Sequence, residues 1–209
     1  MEKKDIQRMP YISKTALGKA LNKPNLNTLR NYISYWQKKE ELLPVKRGFY
    51  VFKNFIDKSD NSLYYARFLG TKLIEPSYLS AEFILQEYQA LTDVVFGYSL
   101  MTTKKTTTIK NQFGSFNYYS IDPGLFSGFE KKKYGDMIWY EATKARALFD
   151  FLRLKLRKKK IVSGNDILDL RINFEVFTKQ DWLEFEKYLN LAGKKMQIVY
   201  KLIKLIEHK

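Results

Sequence analysis

The chain has 209 residues, of which 45% are hydrophobic and 28% charged. That is enough apolar material for a folded core in one domain or two small ones, and unlike a disordered chain. With no cysteine and a single histidine, His208, neither disulfides, zinc sites of the usual kind nor histidine-based catalysis is expected. A net charge of +15 points instead to a polyanionic partner, either nucleic acid or an acidic protein surface.

The excess is uneven, since residues 1–53 carry 12 of the 37 Lys+Arg but only 4 of the 22 Asp+Glu. The opening MEKKDIQRMP lacks an apolar stretch, and no run elsewhere is long enough to span a bilayer. A cytoplasmic protein without membrane contact is the expectation.

In chain order, Thr15–Leu21 has helical apolar spacing with Ser13 as its cap. Asn22-Lys23-Pro24 reads as a turn. A second helix follows from Asn25 to Lys39. Leu26, Leu29, Ile33 and Trp36 form its expected buried stripe, leaving Asn27, Thr28, Asn31, Ser34, Tyr35 and Lys38 outward, with Arg30 and Tyr32 on the flanks. LLPVKRGFYVF, Leu42–Phe52, reads as two short strands around Arg47-Gly48.

Helix, turn, helix and basic-tipped hairpin make the pattern of a winged helix-turn-helix, whose second helix enters the major groove. Asn27, Asn31 and Arg30 suit adenine and guanine edges. Thr28, Tyr35, Lys38, Lys46 and Arg47 suit phosphate or minor-groove contacts, and Asn25 joins the set at the helix start.

Asn54–Asn61 is polar and turn-rich, a linker between a domain over 1–56 and a second over 62–209. In the latter, helices are expected over Ser62–Lys72 and over Ser77–Leu91, which follows Pro76. Val94–Met101, Lys105–Lys110 and Phe116–Ile121 have the β-branched and aromatic content of a meander of antiparallel strands. Short strands at Leu125–Glu130 and Met137–Tyr140 extend it. Helices then occupy Ala142–Arg157, Gly164–Leu170, Lys179–Leu189 and Lys194–Ile206. The fold class expected is therefore α+β: an N-terminal winged helix-turn-helix, then a mixed α+β domain with an antiparallel sheet.

These elements, taken in order over Lys14–Leu156, resemble the AbiEi-type antitoxins of bacterial abortive-infection toxin–antitoxin systems. KRGFYVF (Lys46–Phe52) resembles the family's glycine-aromatic wing, and PSYLSAEFIL (Pro76–Leu85) its tyrosine-x-serine helix start. GYSLMTTKKTTTIKNQFGSFNYYSI (Gly97–Ile121) is similar to its threonine-rich hairpin and glycine-aromatic strand. EATKARALFDFL (Glu141–Leu152) is similar to its alanine-threonine-proline-glutamate-lysine-alanine-leucine-x-aspartate helix. Ala147, Leu148 and Asp150 fit that pattern, whereas Lys144, Ala145 and Arg146 stand where the family has proline, glutamate and lysine.

The resemblance implies an antitoxin and transcriptional autorepressor that binds inverted repeats of double-stranded DNA in its own promoter. It also implies a cognate toxin resembling a nucleotidyltransferase, countered without a stable complex being required. A protein-binding adaptor using the basic surface and an RNA-binding module are the alternatives.

No enzyme, cofactor or metal site is expected. Gly114-Ser115 lacks the paired carboxylates of a nucleotidyltransferase, only Asp122 following. Asp166 and Asp169 read as acidic residues near a helix start. A second basic run, Arg153, Lys155, Arg157, Lys158, Lys159 and Lys160, reads either as a further nucleic-acid contact or as a solvated helix end. Tyr64, Tyr65, Tyr118 and Tyr119 could stack on the bases of a single-stranded partner, but their placement on strands and apolar helix faces reads rather as core.

Overall fold

The computed structural model describes residues 6–22, 25–57, 61–92 and 96–207, without the side chains of 61–63 and 207. Lys23 and Pro24 of the expected turn, residues 58–60 of the expected linker, Val94 and Val95 of the expected strand and His208 lie outside them. The fold is mixed α+β, and the chain divides into two compact units.

The first unit takes in the described residues of Met1–Leu69, together with Ile109–Ser115 and Lys133–Ile138. A two-residue strand, β1 (Ile12–Ser13), leads directly into α1 (Lys14–Ala20). The Ser13 hydroxyl caps that helix by accepting the Ala16 N–H at 3.1 Å, satisfying one of the donors a helix start leaves open. Next comes α2 (Leu26–Lys38), capped by the Asn25 side chain, which accepts the Asn27 N–H at 2.8 Å.

The hairpin of β2 (Leu42–Lys46) and β3 (Phe49–Phe52) follows, then one helical turn, α3 (Lys53–Ile56). β1 pairs with β3, so the sheet runs β1-β3-β2 with antiparallel neighbours. Ile6, Ile12, Leu17, Leu29, Ile33, Trp36, Leu42 and Phe52 form one buried cluster. In it the Trp36 and Phe52 rings meet edge-on at 5.5 Å, a favoured aromatic geometry.

Leu26 departs from the expected buried stripe, being 65% exposed. It is the first residue of α2, a turn ahead of the buried Leu29, and lines an open depression together with residues of α1.

A longer helix, α4 (Asn61–Leu73), follows. The larger sheet has the order β6-β7-β5-β4-β9-β8. Its strands are β4 (Ser77–Leu79), β5 (Tyr98–Thr102), β6 (Thr107–Asn111), β7 (Gly114–Ser120), β8 (Phe129–Tyr134) and β9 (Met137–Ala142). The second unit comprises Gly70–Thr108, Phe116–Lys132 and Trp139–Lys209 as far as they are described. Its helices are α5 (Ala81–Glu87), α6 (Lys144–Leu156), α7 (Gly164–Leu168), α8 (Lys179–Ala192) and α9 (Lys194–Glu207). The central one is α6, packed against α5 and α8 and buried on nearly every side.

Three expectations are corrected here. Residues 77–79 are a central strand, β4, and not the start of a helix, because both neighbours in the sheet hydrogen-bond to them. The strands do not form a simple antiparallel meander: β5 runs antiparallel to β4 but parallel to β7, with β6 displaced to the edge. Finally, Leu125 closes a short 3-10 turn (Pro123–Leu125) that Asp122 caps, and the strand begins only at Phe129.

Candidate nucleic-acid interface

The polar face of α2 is fixed from beneath. Leu29, Ile33 and Trp36, at i, i+4 and i+7, are buried in the first unit's core, which sets the rotation of the helix about its axis. Asn27, Arg30, Asn31, Ser34, Tyr35 and Lys38 are consequently exposed, and Thr28 is half-buried. Asn25 spends its carbonyl oxygen on the helix cap, leaving the amide nitrogen as its free donor.

Beside this face lies Lys39, whose ammonium sits 4.7 Å from the Tyr35 ring centre. A hydrogen bond to the Tyr35 side chain raises its pKa above the ordinary value. Sequence reasoning passes over Lys39, although its i+4 spacing from Tyr35 marks the pair as neighbours on one flank.

The hairpin tip presents Arg47, exposed, and Lys46, half-buried, whose ammonium lies 4.7 Å from the Phe49 ring centre. The register shifts between Pro44 and Lys46, one residue being absorbed by a bulge, and Gly48 turns the chain with φ +79°, a conformation costly for a residue bearing a Cβ. The Lys14 N–H donates to the Gly48 carbonyl at 2.7 Å, tying the tip to the start of α1. Between α1 and the first turn of α2 is an open depression of about 650 Å³, lined by Lys14, Thr15, Lys19, Asn22, Leu26 and Leu29.

The second basic run has a mixed character. Lys155 pairs with Glu82 at 3.0 Å and Lys159 pairs with Asp166, so two of its cations are already neutralised within the chain. Arg157, Lys158 and Lys160 are exposed and Arg153 is half-buried. The run begins in the last turn of α6, with Arg153 and Lys155, and continues past its end, where the Leu156 carbonyl accepts from the Lys195 ammonium at 2.5 Å. A cation there complements the helix dipole and satisfies open acceptors.

The segments that carry the family resemblance meet in the second unit. Asp150, fully buried on α6, receives both Nε (3.1 Å) and a terminal nitrogen (2.7 Å) of Arg146. It also accepts the Tyr78 hydroxyl at 3.0 Å and the Ser80 hydroxyl at 2.8 Å. Burial pushes the Asp150 carboxyl above its ordinary pKa, against the opposing pull of the Arg146 guanidinium. Tyr78 and Ser80 come from the tyrosine-x-serine segment, Arg146 and Asp150 from the alanine-leucine-x-aspartate helix. Tyr78, Ser80, Arg146 and Asp150 are all buried.

Among the described residues, no group of three or more His, Cys, Asp or Glu could hold a metal ion. Asp166 is committed to a capping box with Ser163 and to Lys159. Nor is any described helix long and apolar enough to cross a membrane. No protein-family model matches this sequence, and no curated protein matches it either.

Proposed function

We propose that the first unit contains, within residues 1–56, a winged helix-turn-helix that binds double-stranded DNA, and that the protein acts as a transcriptional autorepressor. The observation that carries this reading is the α2 face. Asparagine, arginine, tyrosine and lysine stand outward together on one helix that its own core holds in a fixed rotation. The order of strand, two helices and hairpin, with the first strand paired to the last, agrees with it, as does the net charge of +15. In such modules the second helix lies in the major groove while the hairpin reaches the backbone or minor groove.

The antitoxin role, countering a nucleotidyltransferase-like toxin, rests on the resemblance to AbiEi-type proteins. It gains support from Tyr78, Ser80 and Asp150, three residues of the resembling segments that share one hydrogen-bond network. A protein-binding adaptor is the second reading, favoured by the exposed Leu183, Leu191, Ile198 and Leu205 on the last two helices, since outward apolar residues suit protein partners.

Titration of fluorescent upstream DNA and a scrambled duplex at two salt concentrations tests the first reading. A preference for the native sequence that persists at higher salt supports base readout. Equal, salt-sensitive binding to both would remove it in favour of a partner protein or RNA.

A further inference from the structure

Leu26 is the one residue of the expected α2 core stripe that the fold leaves outside, and its surroundings are cationic. It is 65% exposed. It shares the open depression with Lys14 and Lys19, and Arg30 is one turn along the same helix flank. A lone exposed leucine is unremarkable on most surfaces. Here it is displayed among three cations at the leading end of the helix proposed to enter the major groove, a setting that suits an apolar group carried by a polyanion.

The thymine C5-methyl is such a group. It projects into the major groove between the phosphate rows, and apolar side chains read it by contact. The alternative occupant, an apolar segment of a protein, would have to be acidic as well to sit among Lys14, Lys19 and Arg30.

Resting on the DNA-binding reading above, we infer that Leu26 is a specificity residue that reads a thymine methyl in the operator, beside a base contacted by Arg30. Residues four apart on a helix are separated by about 6 Å along its axis. That spacing places the thymine near the Arg30 base in the operator. The Asn25 cap holds the first turn in place, which keeps the Leu26 backbone from fraying away from the groove. The contact adds specificity without charge, so it is insensitive to salt, unlike the contacts of Lys38 or Arg47.

The test is a double-mutant cycle on the full chain. Wild type and Leu26→Ala are each titrated with the native upstream duplex and with the same duplex carrying deoxyuridine for thymidine, which removes only the methyl groups. Wild type is expected to lose roughly fourfold in affinity for each methyl that Leu26 buries. Leu26→Ala should show a matching loss on the thymidine duplex and little further loss on the deoxyuridine one.

Equal sensitivity of the two proteins to deoxyuridine, or a wild type indifferent to it, overturns the role of Leu26 while native-over-scrambled preference upholds DNA readout. Absence of that preference in wild type sinks both readings together. Leu26 is exposed, so the alanine variant keeps the core, and the wild-type arm needs no variant.

Discussion

A fully buried arginine and aspartate in one network concentrate risk at a few atoms of the second unit. Arg146 and Asp150 are both completely enclosed, and one terminal nitrogen of Arg146 has no hydrogen-bond partner. Its guanidinium lies 4.9 Å from the ring centres of both Phe149 and Tyr188, which supply a cation–π environment in place of water. Taking charges out of water is expensive, and removing one partner strands the other. Asp150→Ala should therefore destabilise the protein by about 3–5 kcal/mol in urea unfolding, whereas replacing both partners with apolar residues of similar size should cost much less. Gly128 belongs to the same neighbourhood. Its φ is +77°, and a Cβ would collide with the Tyr188 hydroxyl and Arg146 Cδ, so Gly128→Ala should lower the melting temperature markedly although it adds one carbon. At the proposed DNA face, Asn31→Ala with Arg30→Ala should weaken specific binding more than non-specific binding; a matching loss on both duplexes would remove their role as base readers.

Among the elements, α7 is only five residues long and depends on its cap. Lys159, through a side-chain hydrogen bond, and the Ser163 backbone and hydroxyl hold the Asp166 carboxyl at about 2, below its ordinary range. The folded chain thus binds this proton less readily than the unfolded one. Its contribution is complete above about pH 4 and is lost as pH falls through 2. Asp166→Asn should lower the melting temperature at neutral pH, and the gap to wild type should close between pH 4 and pH 2. Caps are partly readable in the sequence: Ser13 sits where a short polar side chain precedes helical spacing, whereas Asn25, expected as the first residue of the helix, is its cap. Readable too are α6, α8 and α9, whose length and periodicity leave little ambiguity. The strand β4 is not. Tyr78 and Leu79 belong to an apolar run that helix and strand spacing fit equally well, and only the neighbours β5 and β9, from residues 98–102 and 137–142, decide the matter. The parallel pairing of β5 with β7 is hidden for the same reason, since register is set by partners remote in sequence. Leu26 is hidden differently: its spacing is that of the stripe, but a periodic pattern cannot say which of its positions another element packs against.

For the whole molecule, charge and connectivity carry the consequences. Of the basic run at the end of α6, Lys155 and Lys159 already face carboxylates. If the run binds nucleic acid, neutralising Lys158 and Lys160 should reduce the slope of log affinity against log salt by about 0.9 for each phosphate left without its cation. Neutralising Lys155 and Lys159 should change it less; an unchanged slope in every variant identifies a solvated helix end. The first unit, meanwhile, draws on distant parts of the chain. Asn111 donates its side-chain amide to the Val45 carbonyl at 2.8 Å. The Phe113 ring meets Tyr65 edge-on at 4.8 Å, and Tyr134 lies 4.6 Å from Tyr64. During synthesis, α1, α2 and the hairpin emerge long before these three residues do. Until Asn111, Phe113 and Tyr134 have left the ribosome the nascent amino-terminal part lacks these contacts, and a message truncated earlier would yield a polypeptide with that part unfinished.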